Sequence, residues 1–102
     1  MFGPSSIDFV RQFGARYAIL SIGAITDDAD FMDFHLEEAE FSRAVMARAR
    51  ETIVVADHSK FGARAFVRIC ERGMVDRVVT DRAPASRLAG LLQEAGVAVV
   101  TP

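Results

Sequence analysis

The strongest constraint on the fold of this chain is an alternation between short apolar runs and segments of helical periodicity. Four runs rich in aliphatic and β-branched residues are typical of buried strands, and they lie at 17–22, 52–56, 77–80 and 97–100. Three helices are expected around them, starting near Ser5, at Glu37 and near Pro84. Because strands that alternate with helices form parallel sheets, the pattern predicts an α/β fold, with a mainly parallel sheet and helices on both faces.

The segments between these strands differ in regularity. The stretch 23–36 is acidic and is predicted to be an irregular loop. The segment 37–50 is predicted to be a helix, because its acids lie in the first turn and its arginines in the last, as the helix dipole favours. A further short strand is predicted at 65–69. The apolar stripe of the helix is predicted to consist of Phe41, Ala44 and Val45.

Length, charge and cysteine content exclude several classes of protein. The chain has 102 residues, which allows one domain, and its formal net charge of -2 argues against a DNA-binding face on this chain. It contains no apolar run of the ~18 residues that a membrane span requires, and its opening residues do not resemble a signal peptide. Cys70 is the single cysteine, so no internal disulfide is expected, and its apolar surroundings predict a buried, unreactive thiol. The cytoplasm is the expected compartment.

Polar residues follow three of the predicted strands at the point where each strand ends. Gly23 and the acidic loop follow the first strand, the segment 57–62 follows the second, and Asp81 follows the third. Because parallel strands place their carboxyl ends at one edge of the sheet, these three segments are expected to meet there. The sequence therefore predicts a binding site at this edge.

The segment 57–62, Asp-His-Ser-Lys-Phe-Gly, carries residue types that bind a small anion. Ser59 offers a hydroxyl, Lys60 a compact positive charge, and Gly62 permits close approach of backbone amides, a set that suits a phosphate group. The same residues have a simpler interpretation, in which Asp57 caps the amides of its own loop and Lys60 is solvated. Residue types alone favour the simpler interpretation.

Other recognisable chemistries do not fit the spacing of the polar residues. An EF-hand loop started at Asp28 would place Asp33 where glycine is needed and Ala39 where the bidentate glutamate belongs. Neither His35 nor His58 has a partner at a zinc-binding spacing, and the sequence contains no glycine-rich nucleotide loop or Walker lysine. No metal and no cofactor is expected.

The segments 57–62 and 75–81 resemble the carboxy-terminal effector-sensing domain of the DeoR family of bacterial transcriptional regulators. That family carries D-x-S-K-F-G, followed by V-D near a T-D strand end, and the helix that begins Leu36-Glu37-Glu38-Ala39-Glu40 also fits it. The resemblance covers essentially the whole chain. His58 within the motif, and Ala83-Pro84 after Thr80-Asp81, look most like the glycerol-3-phosphate repressor subgroup.

The resemblance implies a fold related to ribose-5-phosphate isomerase and glucosamine-6-phosphate deaminase. It implies a non-catalytic repressor whose effector is a phosphorylated sugar or polyol, with glycerol 3-phosphate as one candidate. It also implies a homo-oligomer that contacts operator DNA only through a winged helix-turn-helix domain and that has no membrane partner. Residues 1–102 lack that domain and the opening βα units of the sensing domain, and are expected to be its carboxy-terminal portion.

Carried over residue by residue, the resemblance assigns effector binding to the motif and to the end of the first strand. Lys60 matches the motif lysine and is the expected contact of an anion. Ser59 and the amides near Phe61 and Gly62 are expected to add donors, and Asp57 is expected to shape the loop. The candidate effector-binding residues are Asp57, Ser59, Lys60, Phe61, Gly62 and Gly23, and further candidates are Asp27, Asp28, Asp30 and Asp81.

Two other functions remain open from the sequence. A sugar-phosphate isomerase or deaminase of the same fold would need a carboxylate base next to its substrate, and no spacing singles one out among Asp27, Asp28, Asp30 and Glu38. Alternatively, the chain is mainly an oligomerisation module, because missing strands would leave a sheet edge and apolar faces that need cover.

Overall fold

A four-stranded parallel sheet forms the centre of the fold in the computed structural model, which describes residues 4–102. Its strands, in their order across the sheet, are β1 (Ala15–Ser21), β4 (Ala49–Val55), β6 (Arg77–Val79) and β7 (Ala98–Val100). Each neighbouring pair is parallel. The predicted α/β class with a mainly parallel sheet is therefore confirmed.

Three helices accompany this sheet: α1 (Pro4–Val10), α2 (Leu36–Arg48) and α3 (Ser86–Glu94). The first turn of α2 carries Glu37 and Glu38 and its last turn Arg48, a charge order that complements the helix dipole. Within residues 4–102, no helix has the length and apolar character needed to cross a bilayer.

The predicted apolar stripe of α2 was wrong for Phe41 and Ala44 and correct for Val45, which packs against the core cluster. The residues that α2 buries are Ala39, Ser42 and Met46, whereas Phe41, Ala44 and Val45 are only half-buried. The small side chains of Ala39 and Ser42 let the helix pack against both β1 and β4, and sequence periodicity alone favoured the larger apolar residues instead. The helix also ends earlier than predicted, since β4 already begins at Ala49.

The predicted irregular loop at 23–36 instead contributes to a second sheet. This sheet has the order β2 (Ala24–Ile25), β3 (Phe31–Asp33) and β5 (Val67–Cys70), and its pairs are antiparallel. The turn between β2 and β3 contains Ala29 at a φ of 64° and is closed by a 3.1 Å bond from the Asp30 amide to the Thr26 hydroxyl. Strands of two and three residues are too short to produce a periodic pattern, so the sequence did not indicate them.

The core lies on one face of the parallel sheet. Leu20, Val54 and Val78 stand in register on neighbouring strands and are buried. They belong to the same cluster as Leu88 and Leu92 of α3. Apolar residues from α2 and from the second sheet complete this cluster.

The opposite face of the parallel sheet is exposed. Ile19 is 67% exposed, and Val55, Val79 and Val100 are also open to solvent. Within residues 4–102, burial is therefore confined to one face, which corrects the prediction of helices on both faces and of strands buried on both sides. The apolar runs form strands, as predicted, but the described residues cover only one of the two faces of these strands.

The single cysteine lies inside the second sheet. Cys70 is buried at the end of β5, and burial raises the pKa of its thiol to about 11. The neutral thiol is therefore the form present at ordinary pH. The prediction of a buried structural thiol is confirmed.

Candidate anion-binding site

The carboxyl ends of β1, β4 and β6 lie side by side, as expected for parallel strands. Ser21 pairs with Val55, and Val55 pairs with Val79, so the three strands end at one edge. The segments that follow make direct contact there, because His58 Nδ1 lies 2.7 Å from an oxygen of Asp81. The predicted meeting of polar segments is confirmed for the two that follow β4 and β6.

Four residues at this edge are linked to one another by hydrogen bonds, and we call them the edge cluster: Asp57, His58, Ser59 and Asp81. Asp57 begins a 3-10 turn over His58–Lys60, and its carboxylate accepts both the Ser59 amide, at 3.0 Å, and a short hydrogen bond from the Ser59 hydroxyl. The hydroxyl bond, followed by the amide bond, lowers the pKa of Asp57. Asp81 accepts the His58 amide at 2.7 Å, and its contact with the His58 ring lowers the pKa of Asp81 to about 2. The edge cluster thus fixes the loop against β6.

The backbone amides of this loop are already bonded inside the protein. Beyond the amides of His58 and Ser59, the pairs are Lys60 N–H to the Asp57 carbonyl (3.0 Å), Phe61 N–H to the His58 carbonyl (3.1 Å) and Gly62 N–H to the Ile25 carbonyl (2.8 Å). Because each amide has one hydrogen, none of the five is free to bind an anion. This corrects the expectation that the Phe61 and Gly62 amides add donors. The interpretation in which Asp57 caps its own loop is confirmed.

Lys60, by contrast, lines a cavity at the end of β1. The cavity has a volume of about 370 Å³. Its walls, which define what we call the β1 cavity, are Ile19, Leu20, Ser21, Ile22, Gly23, Asp33, Phe34, Glu38, Phe41, Ser42 and Lys60. Among the described residues, none forms an ion pair with the Lys60 ammonium. Lys60 therefore brings a cation without an ion-pair partner to the wall of a cavity of the size that small ligands occupy, ~300–1,000 Å³. Its charge acts on the nearby Asp57 carboxylate and contributes to the lowered pKa of that group.

Gly23 lies in the wall of the β1 cavity, where its lack of a side chain has a local cause. A Cβ atom at this position would stand 2.9 Å from the Phe34 ring, closer than packed atoms approach. The Gly23 amide donates to the Met32 carbonyl at 3.0 Å, which joins the end of β1 to β3. Gly23 thus allows Phe34 to close one side of the cavity, and its amide is not free for a ligand.

The acidic residues between β2 and β3 lie elsewhere. Asp27, Asp28, Asp30 and Gly62 line a separate cavity of about 330 Å³. Arg87 holds the Asp28 carboxylate at 3.1 Å. Among residues 4–102, no group of three or more His, Cys, Asp or Glu side chains is placed to hold a metal ion. The structure therefore separates these candidates from Lys60.

Two carboxylates of the β1 cavity were absent from the predicted binding set. Asp33 is buried, at 7% exposure, and one of its oxygens accepts the Phe34 amide at 2.9 Å. Glu38 is half-buried in the first turn of α2, and the sequence suggested it only as a possible catalytic base. The sequence carried no signal for their meeting, because β3 was not predicted and because Glu38 and Lys60 line the same cavity only in the folded chain.

Comparison with known proteins agrees with the motif. Residues 1–82 match the DeoR C terminal sensor domain family. The chain is 38% identical to the HTH-type transcriptional repressor CsqR of Escherichia coli (strain K12), over 98% of this chain and 38% of that protein. It is also 38% identical to the glycerol-3-phosphate regulon repressor of the same organism, over 80% of this chain and 32% of that protein. A more distant relative is the HTH-type transcriptional repressor GlcR of Bacillus subtilis, 28% identical over 95% of this chain and 37% of that protein. The chain thus spans less than two fifths of the length of these relatives, which are transcriptional repressors.

Proposed function

Because this chain belongs to the DeoR C-terminal sensor domain family, we propose that it is the effector-sensing part of a bacterial transcriptional repressor. The effector is a phosphorylated sugar or polyol that binds in the β1 cavity. The relative named for the glycerol-3-phosphate regulon makes glycerol 3-phosphate the first compound to test.

One observation carries this proposal: Lys60 lines the β1 cavity and has no ion-pair partner among the described residues. The loop that carries Lys60 is held by its own hydrogen bonds and by Asp81, so the backbone from which the lysine side chain extends is fixed before a ligand arrives. A backbone that is ordered in advance lowers the conformational entropy that is lost when the site binds a phosphate. Lys60 is therefore the expected phosphate contact, and the edge cluster acts as its support.

Calorimetric titration of the purified protein with glycerol 3-phosphate, ribose 5-phosphate and inorganic phosphate tests the proposal. In Lys60→Ala the affinity for the bound ester should fall roughly 10- to 150-fold, because a hydrogen bond to a charged group contributes ~1.5–3 kcal/mol. Arg64→Ala is the matched control, since Arg64 is exposed in the same loop and lies outside the β1 cavity. Equal affinities of Lys60→Ala and the parent protein would remove Lys60 from the site.

A second measurement uses the fact that Lys60 is the only lysine of the chain. An amine-acylating reagent then has one side-chain target, and mass spectrometry reports its modification directly. A bound phosphate ester should slow this modification, while acylation of the N-terminal amine should continue at its original rate. Equal protection of both amines would indicate a non-specific effect of the ester.

The place of this chain in a longer regulator is also part of the proposal. Residues 1–102 are the carboxy-terminal portion of the sensing domain of a cytoplasmic repressor, and operator DNA is contacted through a winged helix-turn-helix domain outside them. The net charge of -2 supports this division, since binding to DNA phosphates requires a positive surface. In a gel-shift experiment, the purified 102-residue chain should leave operator DNA unshifted at physiological salt.

Catalysis by this chain is not part of the proposed function, because its relatives are repressors. Release of product from ribose 5-phosphate or glucosamine 6-phosphate by the purified protein would replace the sensor proposal with an isomerase or deaminase.

Self-association is proposed as a second role, and the exposed apolar face of the parallel sheet supports it. Ile19, Val55, Val79 and Val100 present an apolar surface that a second copy would remove from water. Light scattering at about 100 μM should give at least a dimer, and Ile19→Lys should shift the mass toward the monomer. A monomeric mass for the parent protein at that concentration would contradict this role.

A further inference from the structure

The β1 cavity contains more negative than positive charge, which restricts what can fill it. Lys60 provides one cation, while Asp33 and Glu38 provide two carboxylates. The lysine comes from the 3-10 turn after β4, and the carboxylates come from β3 and α2. A ligand that occupies the whole cavity must therefore place its anionic group at Lys60 and a different chemistry against the carboxylates.

Glu38 is the more accessible carboxylate of the pair. Asp33 is 7% exposed, and one of its oxygens already accepts the Phe34 amide. Glu38 is half-buried, and among residues 4–102 it has no hydrogen-bond or ion-pair partner. A half-buried carboxylate accepts hydrogen bonds from hydroxyl groups and repels a second anion.

We propose that Glu38 determines the specificity of this site. It accepts hydrogen bonds from the hydroxyl groups of a neutral polyhydroxy moiety, and it excludes phosphate esters that carry a carboxylate. This inference rests on the proposed phosphate contact at Lys60, and it restricts the effector to esters whose only anionic group is the phosphate. Repulsion between two carboxylates in a partly buried site corresponds to a discrimination on the order of tenfold or more.

Two ligand pairs of nearly equal size test the proposal by calorimetric titration. The pairs are glycerol 3-phosphate with 3-phosphoglycerate, and glucose 6-phosphate with 6-phosphogluconate. In each pair the second compound carries a carboxylate where the first has an alcohol or aldehyde carbon. The parent protein should bind the member without the carboxylate at least tenfold more tightly than the carboxylated member. Glu38→Gln keeps the shape and removes the charge, so this preference should shrink at least tenfold, through weaker binding of the hydroxylated ester and tighter binding of the carboxylated one.

Two variants control for changes in folding and in overall charge. Glu37→Gln makes the same charge change in the same turn of α2, but Glu37 is exposed and lies outside the β1 cavity. Its preference within each pair should stay within about twofold of the parent value. Glu38→Asp keeps the carboxylate and should still exclude the carboxylated member.

The outcomes separate this inference from the function on which it rests. An unchanged preference in Glu38→Gln, together with a large loss of affinity in Lys60→Ala, would overturn the role of Glu38 and leave the sensor proposal standing. Equal loss of preference in Glu37→Gln would also overturn it, because it would assign the effect to net charge. Absence of binding by all four phosphate esters would reject the sensor proposal and the role of Glu38 together.

Discussion

Replacing Phe31 with alanine tests whether the acidic stretch between β1 and α2 is a packed sheet or a solvated loop. Phe31 is completely buried in β3, although Asp30 precedes it and Asp33 follows two residues later. Removing the ring takes away about 150 Å² of buried apolar surface, which at about 25 cal/mol per Å² corresponds to a loss of about 4 kcal/mol in the free energy of unfolding. This value lies within the ~3–5 kcal/mol that buried Phe→Ala substitutions cost.

Urea denaturation followed by circular dichroism measures this loss. With a slope of about 2 kcal/mol per molar urea, typical of a chain of this size, Phe31→Ala should lower the midpoint by about 2 M. The total free energy of unfolding of such a domain is about 5–15 kcal/mol, so a loss of about 4 kcal/mol leaves a domain at the low end of this range nearly unfolded. Phe31→Leu, with an expected loss of about 1 kcal/mol, keeps the prediction measurable in that case.

Phe66→Ala is the matched control for Phe31→Ala. Phe66 is 84% exposed, and its edge contact with the Phe34 ring, at a centroid distance of 6.3 Å, leaves most of its surface in water. The free energy of unfolding should therefore change by at most about 0.5 kcal/mol. The reasoning is refuted if Phe31→Ala costs less than about 1 kcal/mol, or if the two substitutions cost the same.

Three further predictions concern stability and reactivity. Because His58 lowers the pKa of Asp81 from 3.8 to about 2, the ionised Asp81 stabilises the native state above about pH 4, and this contribution is lost as the pH falls through 2. Asp81→Asn should therefore flatten the fall of the urea midpoint between pH 4 and pH 2, and an equally steep fall would contradict the pairing. Cys70, whose burial raises the pKa of its thiol to about 11, should react with a disulfide reagent at pH 8 only as fast as the protein opens; rapid reaction would place it at the surface. Gly62 has a φ of +73°, and a Cβ there would stand 3.0 Å from a carboxylate oxygen of Asp27, so Gly62→Ala should lower the free energy of unfolding by about 1–2 kcal/mol. Gly73→Ala is the control, because a Cβ at Gly73 meets open space, and it should lower this free energy far less. Equal losses in the two variants would show that the backbone at Gly62 is not strained.

The edge cluster shows why a motif can be recognised before its mechanism is known. The residue types at 57–62 suggested that the amides and the serine hydroxyl bind an anion. In the structure these donors bond to Asp57, to Asp81 and to backbone carbonyls, so the motif mainly builds a rigid turn. The motif residue that lines the β1 cavity is Lys60.

The sequence by itself determined the parallel strands, the three helices and the edge at which the polar segments meet. These features follow from local patterns: apolar runs, capping and charge order along a helix, and the rule that parallel strands end together. The buried thiol of Cys70 could also be predicted, because Cys70 ends a short strand and no activating base lies beside it in the sequence. The D-x-S-K-F-G motif could identify the family because its six residues are consecutive in the sequence.

Only the tertiary structure decided how Lys60, Asp33 and Glu38 come together. Asp33 belongs to a three-residue strand that is stable because β5, more than thirty residues later, pairs with it, and no local pattern records such a contact. The orientation of α2 depended on the small residues Ala39 and Ser42 that fit against the sheet, rather than on its largest apolar residues. The charge balance of the β1 cavity therefore arises from packing between distant segments, which a reading of neighbouring residues does not contain.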